Sequence, residues 1–516
     1  MKIEFNLPRV ALLFVMVVAL IIGYFIAPDY GISWDELGIY RYSSQMLAAY
    51  PFILHPQDFE AKVSDPLLYL YGPAHFMAST VFSRFILTFQ TSWSFFTAYH
   101  FFYFVTFLFG VLALYFLSIR WMSEWAAFGV AVLFATQPLF WGNAFINPKD
   151  TPFMTFFIAS VYFGFQMLDD SSSSRWWKTF LAGVVLGITT SVRSLGPMAG
   201  ALVILYGLWK SPRKTLTLAP LYVLVAMAVA YLSWPYLWSA PVSHFMETLQ
   251  TMSKFPNTGE TLFNGNLYPA DQLPLTYFPT FIALQLTEPM LALIVIGTVI
   301  STWLFVKAQD REPVLLFVAW FLLPALYIGS SGSTLYDNAR QLIFLLPPLL
   351  IFAGVGLDVL LKYIKTPVLR AVLMLVMVLP GLYANIQLHP YQFVYFNSLT
   401  GGVGGAFRKF DLDYTGTSFM EAQEYLNANA EPGVQIVVVG PRHIARAYAR
   451  EDLKNSFIGT QDSLNPDGLD YYYVLFLTRT NADLNRCMDG EIVYTVERDG
   501  GVLAYIKKIT SKQECW

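Results

Sequence analysis

Eleven apolar runs, each close to the length of a membrane-spanning helix, constrain this 516-residue chain more than any other feature of its sequence. A bilayer core about 30 Å thick takes roughly 20 apolar residues per helix. The chain is 56% hydrophobic and 13% charged, whereas a soluble domain has about 25% charged residues. The sequence therefore predicts a mainly α-helical, polytopic membrane protein. The runs are residues 10–27, 99–119, 125–141, 152–168, 176–192, 195–209, 216–234, 290–306, 314–328, 342–361 and 368–386.

Basic residues in the connecting segments set the expected orientation. Residues 67–87 are apolar enough to cross, but polar residues and a Gly-Pro pair interrupt them. If this stretch lies along the outer surface, the inner side receives thirteen basic residues and the outer side seven; if it crosses, the numbers reverse. We therefore expect about 11 spans, a cytoplasmic amino terminus on an uncleaved signal anchor, and an exported carboxyl terminus. The first outer loop, residues 27–98, would hold interfacial helices.

Under this topology, the polar motifs suited to chemistry gather at the outer face. They are Trp34-Asp35-Glu36, Asn147-Pro148-Lys149-Asp150, Arg193, Tyr336-Asp337-Asn338-Ala339-Arg340 and the long loop 235–289. Ionisable groups at membrane depth are functional candidates by default. The adjacent carboxylates Asp35 and Glu36 repel each other, which favours a proton, a cation or a hydrogen-bond donor between them. The pair is therefore a candidate general base or metal ligand.

Each candidate also has a structural interpretation. The acidic pair could be solvated in an ordinary loop, and Asp150 could cap the helix that begins at Thr151-Pro152. Lys149 and Arg193 could extend to the lipid headgroups, and Arg340 could be an interface anchor. The sequence has no GxGxxG, Walker loop or spaced His/Cys cluster, and its net charge is −3. Nucleotide, zinc and nucleic-acid functions therefore have no support.

Residues 389–516 have the composition of a soluble domain and follow a membrane domain at 1–388. Helices are expected at 418–430 and 442–449, strands at 434–440 and 470–477, and a hairpin around Arg498-Asp499-Gly500-Gly501. The pattern predicts a small exported α/β domain, joined through a flexible glycine-rich connection at 401–405. In an oxidising compartment, Cys487 and Cys515 are expected to form a disulfide.

The outer-face motifs, in order, resemble the GT-C superfamily of membrane glycosyltransferases. The resemblance is to the family of protein O-mannosyltransferases and the lipid A aminoarabinose transferase (glycosyltransferase family 39). The first span, the Asp35-Glu36 loop, the interfacial stretch and the Asn147-to-Asp150 motif occur in that family's order. Arg340 followed by Pro347-Pro348, the Ser191-Val192-Arg193 stretch and the stretch from His389 to Asn397 also resemble bacterial members.

The resemblance implies a sugar donor on a polyprenyl phosphate and a protein, lipid or glycan acceptor, brought together at the outer face of a bacterial inner membrane. Asp35 would be the base in an inverting displacement, and Glu36 and Asp150 would orient the acceptor. A divalent cation on Asp35 and Asp150 is a further possibility. Arg340, Arg193, Lys149 and Tyr336 would bind the donor phosphate.

One motif departs from the family. Many members carry Lys-Pro-Pro on the interfacial helices, where this chain has Ser64-Asp65-Pro66-Leu67. The lysine's role near the donor phosphate is therefore vacant or passes to another cation. The competing class is a transporter or lipid-linked-sugar flippase, which would predict charges buried mid-span and an internal repeat; neither is evident in the sequence.

Overall fold

The computed structural model describes residues 6–59, 66–169, 175–257, 259–307, 311–331, 333–459, 470–484 and 490–510. Cys487 and Cys515, and with them the expected disulfide, lie outside these residues. The helices of the membrane part are α1 (Leu7–Ile26), α2 (Glu36–Ala49), α3 (Ala74–Ile86), α4 (Phe95–Ser118), α5 (Glu124–Thr136), α6 (Pro138–Ile146), α7 (Asp150–Leu168), α8 (Arg175–Val192), α9 (Pro197–Lys210), α10 (Pro212–Ser233), α11 (Pro241–Ser253), α12 (Tyr277–Gln285), α13 (Glu288–Val306), α14 (Arg311–Ser331), α15 (Pro347–Lys362) and α16 (Pro367–Gln387).

The apolar helices divide into a buried centre and an exposed periphery. Among the described residues, six helices are long and apolar enough to cross a membrane: α1, α4, α7, α10, α13 and α16. The apolar windows of α4 and α7 are 67% and 72% buried, whereas those of the other four are only 22–28% buried. Helices that expose so much apolar surface require lipid around them, so this is an integral membrane protein. The predicted number of about 11 spans stays a prediction.

The run at 125–141 differs from its prediction as one straight span. It forms α5 and α6, which meet at Gln137 with a bend of 57°. Pro138 disfavours helical geometry at the residue before it, and Gln137 is extended, with φ −67° and ψ 122°. The buried Gln137 amide fills the break by donating to the Gln285 carbonyl (2.8 Å) and accepting from the Thr287 hydroxyl (3.1 Å). The bend turns the end of α6 towards the loop that carries Lys149.

The stretch expected at the interface is a short 3-10 helix, Pro66–Leu70, followed by α3. With 13 residues, α3 is about 20 Å long, too short to cross the hydrocarbon core. The long loop 235–289 contains α11, α12 and a hairpin of β1 (Glu260–Phe263) and β2 (Asn266–Pro269). This hairpin contacts the following domain, because the Leu262 amide donates to the Asp411 carboxylate.

The carboxyl-terminal part has the α/β architecture expected from the sequence. Its elements are α17 (Gly402–Ala406), α18 (Phe419–Asn429), β3 (Ile436–Val439), α19 (Arg442–Tyr448), β4 (Phe457–Gly459), β5 (Tyr472–Leu477), β6 (Glu491–Arg498) and β7 (Gly501–Ile509). The strand order is β4-β3-β5-β7-β6. The first three strands are parallel, β7 pairs antiparallel with β5, and β6 pairs antiparallel with β7. Asp499 and Gly500 turn the hairpin with φ of 49° and 77°, as a type I′ turn requires.

The glycine-rich stretch at 401–405 is a docked element and not a loose connection. Gly401 begins α17 with φ of 85°, a conformation that favours glycine. The Gly404 amide donates to the Asp499 carbonyl at 2.9 Å, and the Val403 amide reaches the Asp499 carboxylate at 3.3 Å. The connection therefore fastens the hairpin turn to the segment that follows the last membrane helix.

Candidate active site

Chain segments at one end of the helix bundle bring the sequence-predicted polar residues together. Asp35 lies between α1 and α2, Lys149 and Asp150 lie at the start of α7, Arg193 follows the last residue of α8, and Arg340 begins a 3-10 helix, Arg340–Leu345, before α15. Ion pairs connect these side chains: Lys149 with Asp35, and Arg193 and Arg340 with Asp150. Five residues from four distant parts of the sequence thus form one cluster.

Asp35 and Lys149 form the most direct pair. The Lys149 Nζ donates to Asp35 Oδ2 at 2.5 Å, and the lysine side chain is 7% exposed while the aspartate is 40% exposed to a cavity. Burial would raise the pKa of Asp35, but Lys149, Arg340 and Arg479 outweigh it and hold the pKa at about 2. Lys149 also lies over the Tyr71 ring, 4.9 Å from its centroid. Asp35 is therefore ionised and strongly held in the ligand-free site.

Asp150 does not cap α7, so the capping interpretation is wrong. Asn147 does so: its side-chain oxygen accepts from the backbone amides of Lys149 (3.1 Å) and Asp150 (2.8 Å). The Asp150 carboxylate, 1% exposed, accepts instead from the Arg193 guanidinium and lies 3.5 Å from Arg340. An amide side chain three residues earlier leaves the aspartate free to organise two arginines.

Arg340 and a residue that the sequence analysis missed share a second carboxylate. Asp337 accepts from Arg340 Nη2 at 2.5 Å and lies 2.7 Å from Arg479 Nη2. Asp337 and Asn338 have left-handed backbones, with φ of 59° and 60°, which are uncommon outside glycine and recur at functional sites. The result is a continuous chain of charges: Arg193, Asp150, Arg340, Asp337 and Arg479.

Glu36 lies behind the cluster. It is fully buried, where it accepts from the Ser33 amide (2.6 Å) and pairs with the buried His100 Nε2 at 3.1 Å. The cavity beside Asp35 is not lined by Glu36. Glu36 therefore holds the Asp35 loop against α4; its predicted catalytic role stays a prediction.

Two adjoining cavities meet at this cluster. The polar cavity, about 320 Å³, is lined by Asp35, Lys149, Asp337, Arg340 and Arg479 together with Trp34 and Tyr414. The apolar cavity, about 360 Å³, is lined by Leu195, Met198, Pro324, Tyr327 and Ile328, with Arg193 at its wall. Tyr71, Phe255 and Tyr336 line both cavities. A ligand with a charged head and an apolar tail would match this pair of spaces.

A divalent cation on Asp35 and Asp150 does not fit this donor set. Asp35 is paired with Lys149, and Asp150 with two arginines. Within the part of the chain that the structure describes, no group of three or more His, Cys, Asp or Glu residues could hold a metal ion. Positive charge at this site comes from side chains.

The fold defines a class: a membrane protein with the GT-C glycosyltransferase fold. The chain superposes on the crystal structure of ArnT from Cupriavidus metallidurans bound to undecaprenyl phosphate, with a TM-score of 0.51, 14% identity, and coverage of 96% of this chain and 97% of that chain. It also matches the archaeal oligosaccharyltransferase AglB from Archaeoglobus fulgidus, solved with an inhibitory peptide and a dolichol-phosphate, at a TM-score of 0.50 and 12% identity. That match covers 84% of this chain and 63% of AglB.

One segment of the sequence is similar to a known family. Residues 84–238 match the family model described as dolichyl-phosphate-mannose-protein mannosyltransferase. No curated protein matches the chain by sequence. The matched segment contains Lys149, Asp150 and Arg193, and so includes part of the charge cluster. The resemblance that the motifs suggested is confirmed, and the GT-C fold expected from it is confirmed with it.

Proposed function

We propose that this protein is a membrane glycosyltransferase that moves a sugar from a polyprenyl-phosphate donor to an acceptor hydroxyl. The observation that carries the proposal is that the two cavities adjoin, with Arg193 lining the apolar cavity and Arg340 lining the polar cavity. The neighbouring structures were solved with undecaprenyl phosphate and with dolichol-phosphate, which are lipids of the kind that would fit here. The tail would occupy the apolar cavity, which residues of α9 and α14 line, and the phosphate would bind the arginines.

Unpaired donors support a phosphate at this junction. The Nε–H groups of Arg193 and Arg340 are buried without a hydrogen-bond partner among the described residues. A buried donor left unsatisfied costs about 1–3 kcal/mol, and phosphate oxygens would relieve that cost through charge-assisted hydrogen bonds. The charged groups that line the polar cavity are three cations and two carboxylates. Their one excess positive charge matches the single negative charge of a sugar phosphodiester.

The same groups suit the reaction. An acceptor hydroxyl would attack the anomeric carbon, the bond from that carbon to the phosphate oxygen would break, and the proton would pass to Asp35. The departing phosphate gains a negative charge, which Arg340, Arg193 and Lys149 would stabilise. Direct displacement would invert the anomeric configuration.

Lys149 would link donor binding to the activation of the base, because it pairs with Asp35 and would also stabilise the phosphate. A carboxylate with a pKa of about 2 is a weak base. A bound phosphate would pair with Lys149 and Arg340. These cations would then stabilise the Asp35 carboxylate less, so the pKa of Asp35 would rise. Donor binding would thereby make Asp35 a stronger base for the attack of the acceptor. The reaction would take place at the outer face of the membrane, as the predicted topology requires.

Binding of undecaprenyl phosphate to the purified protein tests the donor assignment. Loss of a charge-assisted hydrogen bond worth about 1.5–3 kcal/mol should weaken binding roughly 10–100-fold in Arg340→Gln. Arg41→Gln, which changes an exposed arginine of α2, is the matched control and should bind like the wild type. Equal affinity in Arg340→Gln and the control would contradict the proposal.

The transporter alternative finds no specific observation in its favour. A transporter would be expected to bury ionisable groups in the middle of its membrane spans. The charged cluster of this protein instead lies at the ends of its helices. Transport of a lipid-linked sugar without transfer would leave the donor intact, so product analysis separates the two classes.

A further inference from the structure

The wall of the polar cavity opposite α7 belongs to the carboxyl-terminal domain. Arg479 follows β5, at the carboxyl end of the parallel strands, the edge where α/β sheets carry their binding loops. The next two residues, Thr480 and Asn481, have left-handed backbones with φ of 55° and 54°. Such conformations persist only where the surroundings enforce them, and they cluster at functional sites.

This strained pair is tied to the strained pair Asp337-Asn338 across the cavity wall. Asp411 joins them: its side chain accepts from the Thr480 amide at 2.7 Å, and its carbonyl accepts from the Asn338 side chain at 2.7 Å. Arg479 completes the link through Asp337. Two loops from different domains are thus locked together so that Arg479 lines the cavity.

Beside Arg479 lies an indole held in an exposed position. Trp34 is 39% exposed, although its backbone is fixed at both ends: its amide donates to the Thr415 carbonyl at 2.9 Å and its carbonyl lies 2.9 Å from His443 Nε2. The Arg479 guanidinium lies 5.4 Å from the centre of the indole ring. The immediate neighbour of Trp34 in sequence is Asp35, so the ring adjoins the proposed base.

We propose that Trp34 and Arg479 form the subsite for the acceptor, and that the acceptor hydroxyl belongs to a saccharide. This inference rests on the proposed function and names the substrate class of the same site. The donor would enter through the apolar cavity, which Arg193 lines, whereas Trp34 and Arg479 line only the polar cavity. The acceptor would therefore approach through the polar cavity. The acceptor oxygen would bond to the anomeric carbon, and its proton would go to Asp35.

The chemistry of the pair favours a sugar over an anionic or peptide acceptor. One face of a pyranose ring consists of C–H groups that pack on an indole, and its hydroxyls accept hydrogen bonds from a planar guanidinium fork. Because Arg479 is already paired with Asp337, it brings donors without a large excess of charge. A flat, rigid and partly exposed indole with a guanidinium 5.4 Å from its ring centre suits a sugar ring better than an extended peptide chain.

Saturation-transfer NMR on the full-length protein in detergent, with undecaprenyl phosphate present, tests the inference. The probes are methyl α-mannoside, methyl β-glucoside and methyl β-galactoside, with a serine- and threonine-containing pentapeptide for comparison. At least one glycoside should bind the wild type. Binding should fall roughly 10–100-fold in Arg479→Gln and about 2–10-fold in Trp34→Leu.

Arg446→Gln is the matched control, because Arg446 is an exposed arginine on α19 of the same domain; it should bind like the wild type. Arg479→Lys keeps a charge beside Asp337 and guards against misfolding of Arg479→Gln; it should still bind glycoside more weakly than the wild type. The inference would be overturned if glycosides bound Trp34→Leu and Arg479→Gln as tightly as the wild type, or if the wild type bound the peptide more tightly than every glycoside.

Measurements of lipid binding distinguish a failure of the acceptor subsite from a failure of the proposed function. Undecaprenyl phosphate affinity, measured on the same samples, should be unchanged in Trp34→Leu and should fall much less in Arg479→Gln than in Arg340→Gln. A loss as large as that in Arg340→Gln would assign Arg479 to the donor phosphate and overturn the acceptor subsite. Failure of the wild type to bind the lipid would instead overturn the proposed function.

Discussion

Helix α7 carries an aspartate–arginine cluster at each end, and the two ends differ in what their charges still offer. At the carboxyl end, Asp169 accepts from Arg120 through two hydrogen bonds of 2.8 and 3.1 Å, with both side chains 25–33% exposed. Lys214 donates to the Leu168 carbonyl at 2.9 Å, which satisfies a terminal helix carbonyl. Every charge there has a local structural task.

At the amino end, Asp150 is 1% exposed and shared by Arg193 and Arg340, whose Nε–H groups lack partners among the described residues. Both ends carry an aspartate paired with arginine, so the presence of an ion pair does not distinguish them. Buried, shared carboxylates beside unsatisfied donors mark the end that can bind an anion, whereas satisfied, exposed pairs mark scaffold. The following predictions test whether that difference is functional.

The largest expected effect is on catalysis at the amino end. Asp35→Asn keeps the size of the side chain and removes the proton acceptor, so sugar transfer should fall about 10²–10⁴-fold. Asp169→Asn, the same chemical change at the other end of α7, should leave transfer per folded molecule near the wild-type value. Transfer assays in membranes, normalised to protein abundance, measure both. Near-wild-type turnover by Asp35→Asn would remove the base from the mechanism.

The next effect is on stability and compares the two aspartates of α7 directly. Asp150→Asn leaves Arg193 and Arg340 without their shared carboxylate, which for buried pairs costs about 3–5 kcal/mol. Asp169→Asn breaks a partly exposed pair, worth about 0–1 kcal/mol. The free energy of unfolding in detergent measures both. Equal losses would mean that burial does not distinguish the two ends.

The smallest effect is a change in the shape of the pH–rate profile. A carboxyl whose pKa is lowered in the folded protein contributes stability above its ordinary pKa, near 3.8, and loses that contribution as pH falls to about 2. Asp35 in the ligand-free wild type is therefore ionised throughout pH 5–9 and adds no slope to stability there.

Lys149→Met removes the nearest cation, so the pKa of Asp35 should rise and the acid limb of the rate profile should move to higher pH. Lys409→Met, at an exposed lysine, is the control and should keep the wild-type profile. An unchanged acid limb in Lys149→Met would show that Lys149 does not set the ionisation of Asp35.

Much of the cluster could be predicted from the sequence. Polar motifs at the ends of apolar runs on one membrane face are confined to the same surface of the protein, which brings them close together. Asp35, Lys149, Asp150, Arg193 and Arg340 meet for that reason. The bend at Gln137-Pro138 was signalled by its proline and could have been recognised.

Other parts of the site depend on contacts that local patterns do not encode. Which of Asp35 and Glu36 faces the cavity depends on how the first turn of α2 packs against His100. Arg479 joins the cluster through a pairing with Asp337, 142 positions earlier in the chain. Only its position after a predicted strand hinted at a role, and a strand end alone does not identify its partner.

The backbone contacts of the Asp35 loop also fix the order in which the protein can mature. The Trp34 amide is held by Thr415, and the Ile32 amide by the Tyr448 hydroxyl at 2.7 Å. During synthesis, residues 32–35 emerge from the ribosome more than 400 residues before Tyr448, so they reach the membrane long before their anchors exist. The loop can acquire its final conformation only after the carboxyl-terminal domain has been delivered to the same membrane face and has folded. Chains that lack Thr415 and Tyr448 thus leave the loop of the proposed base without its anchors, and a part of the protein that is made later decides when an earlier part becomes competent.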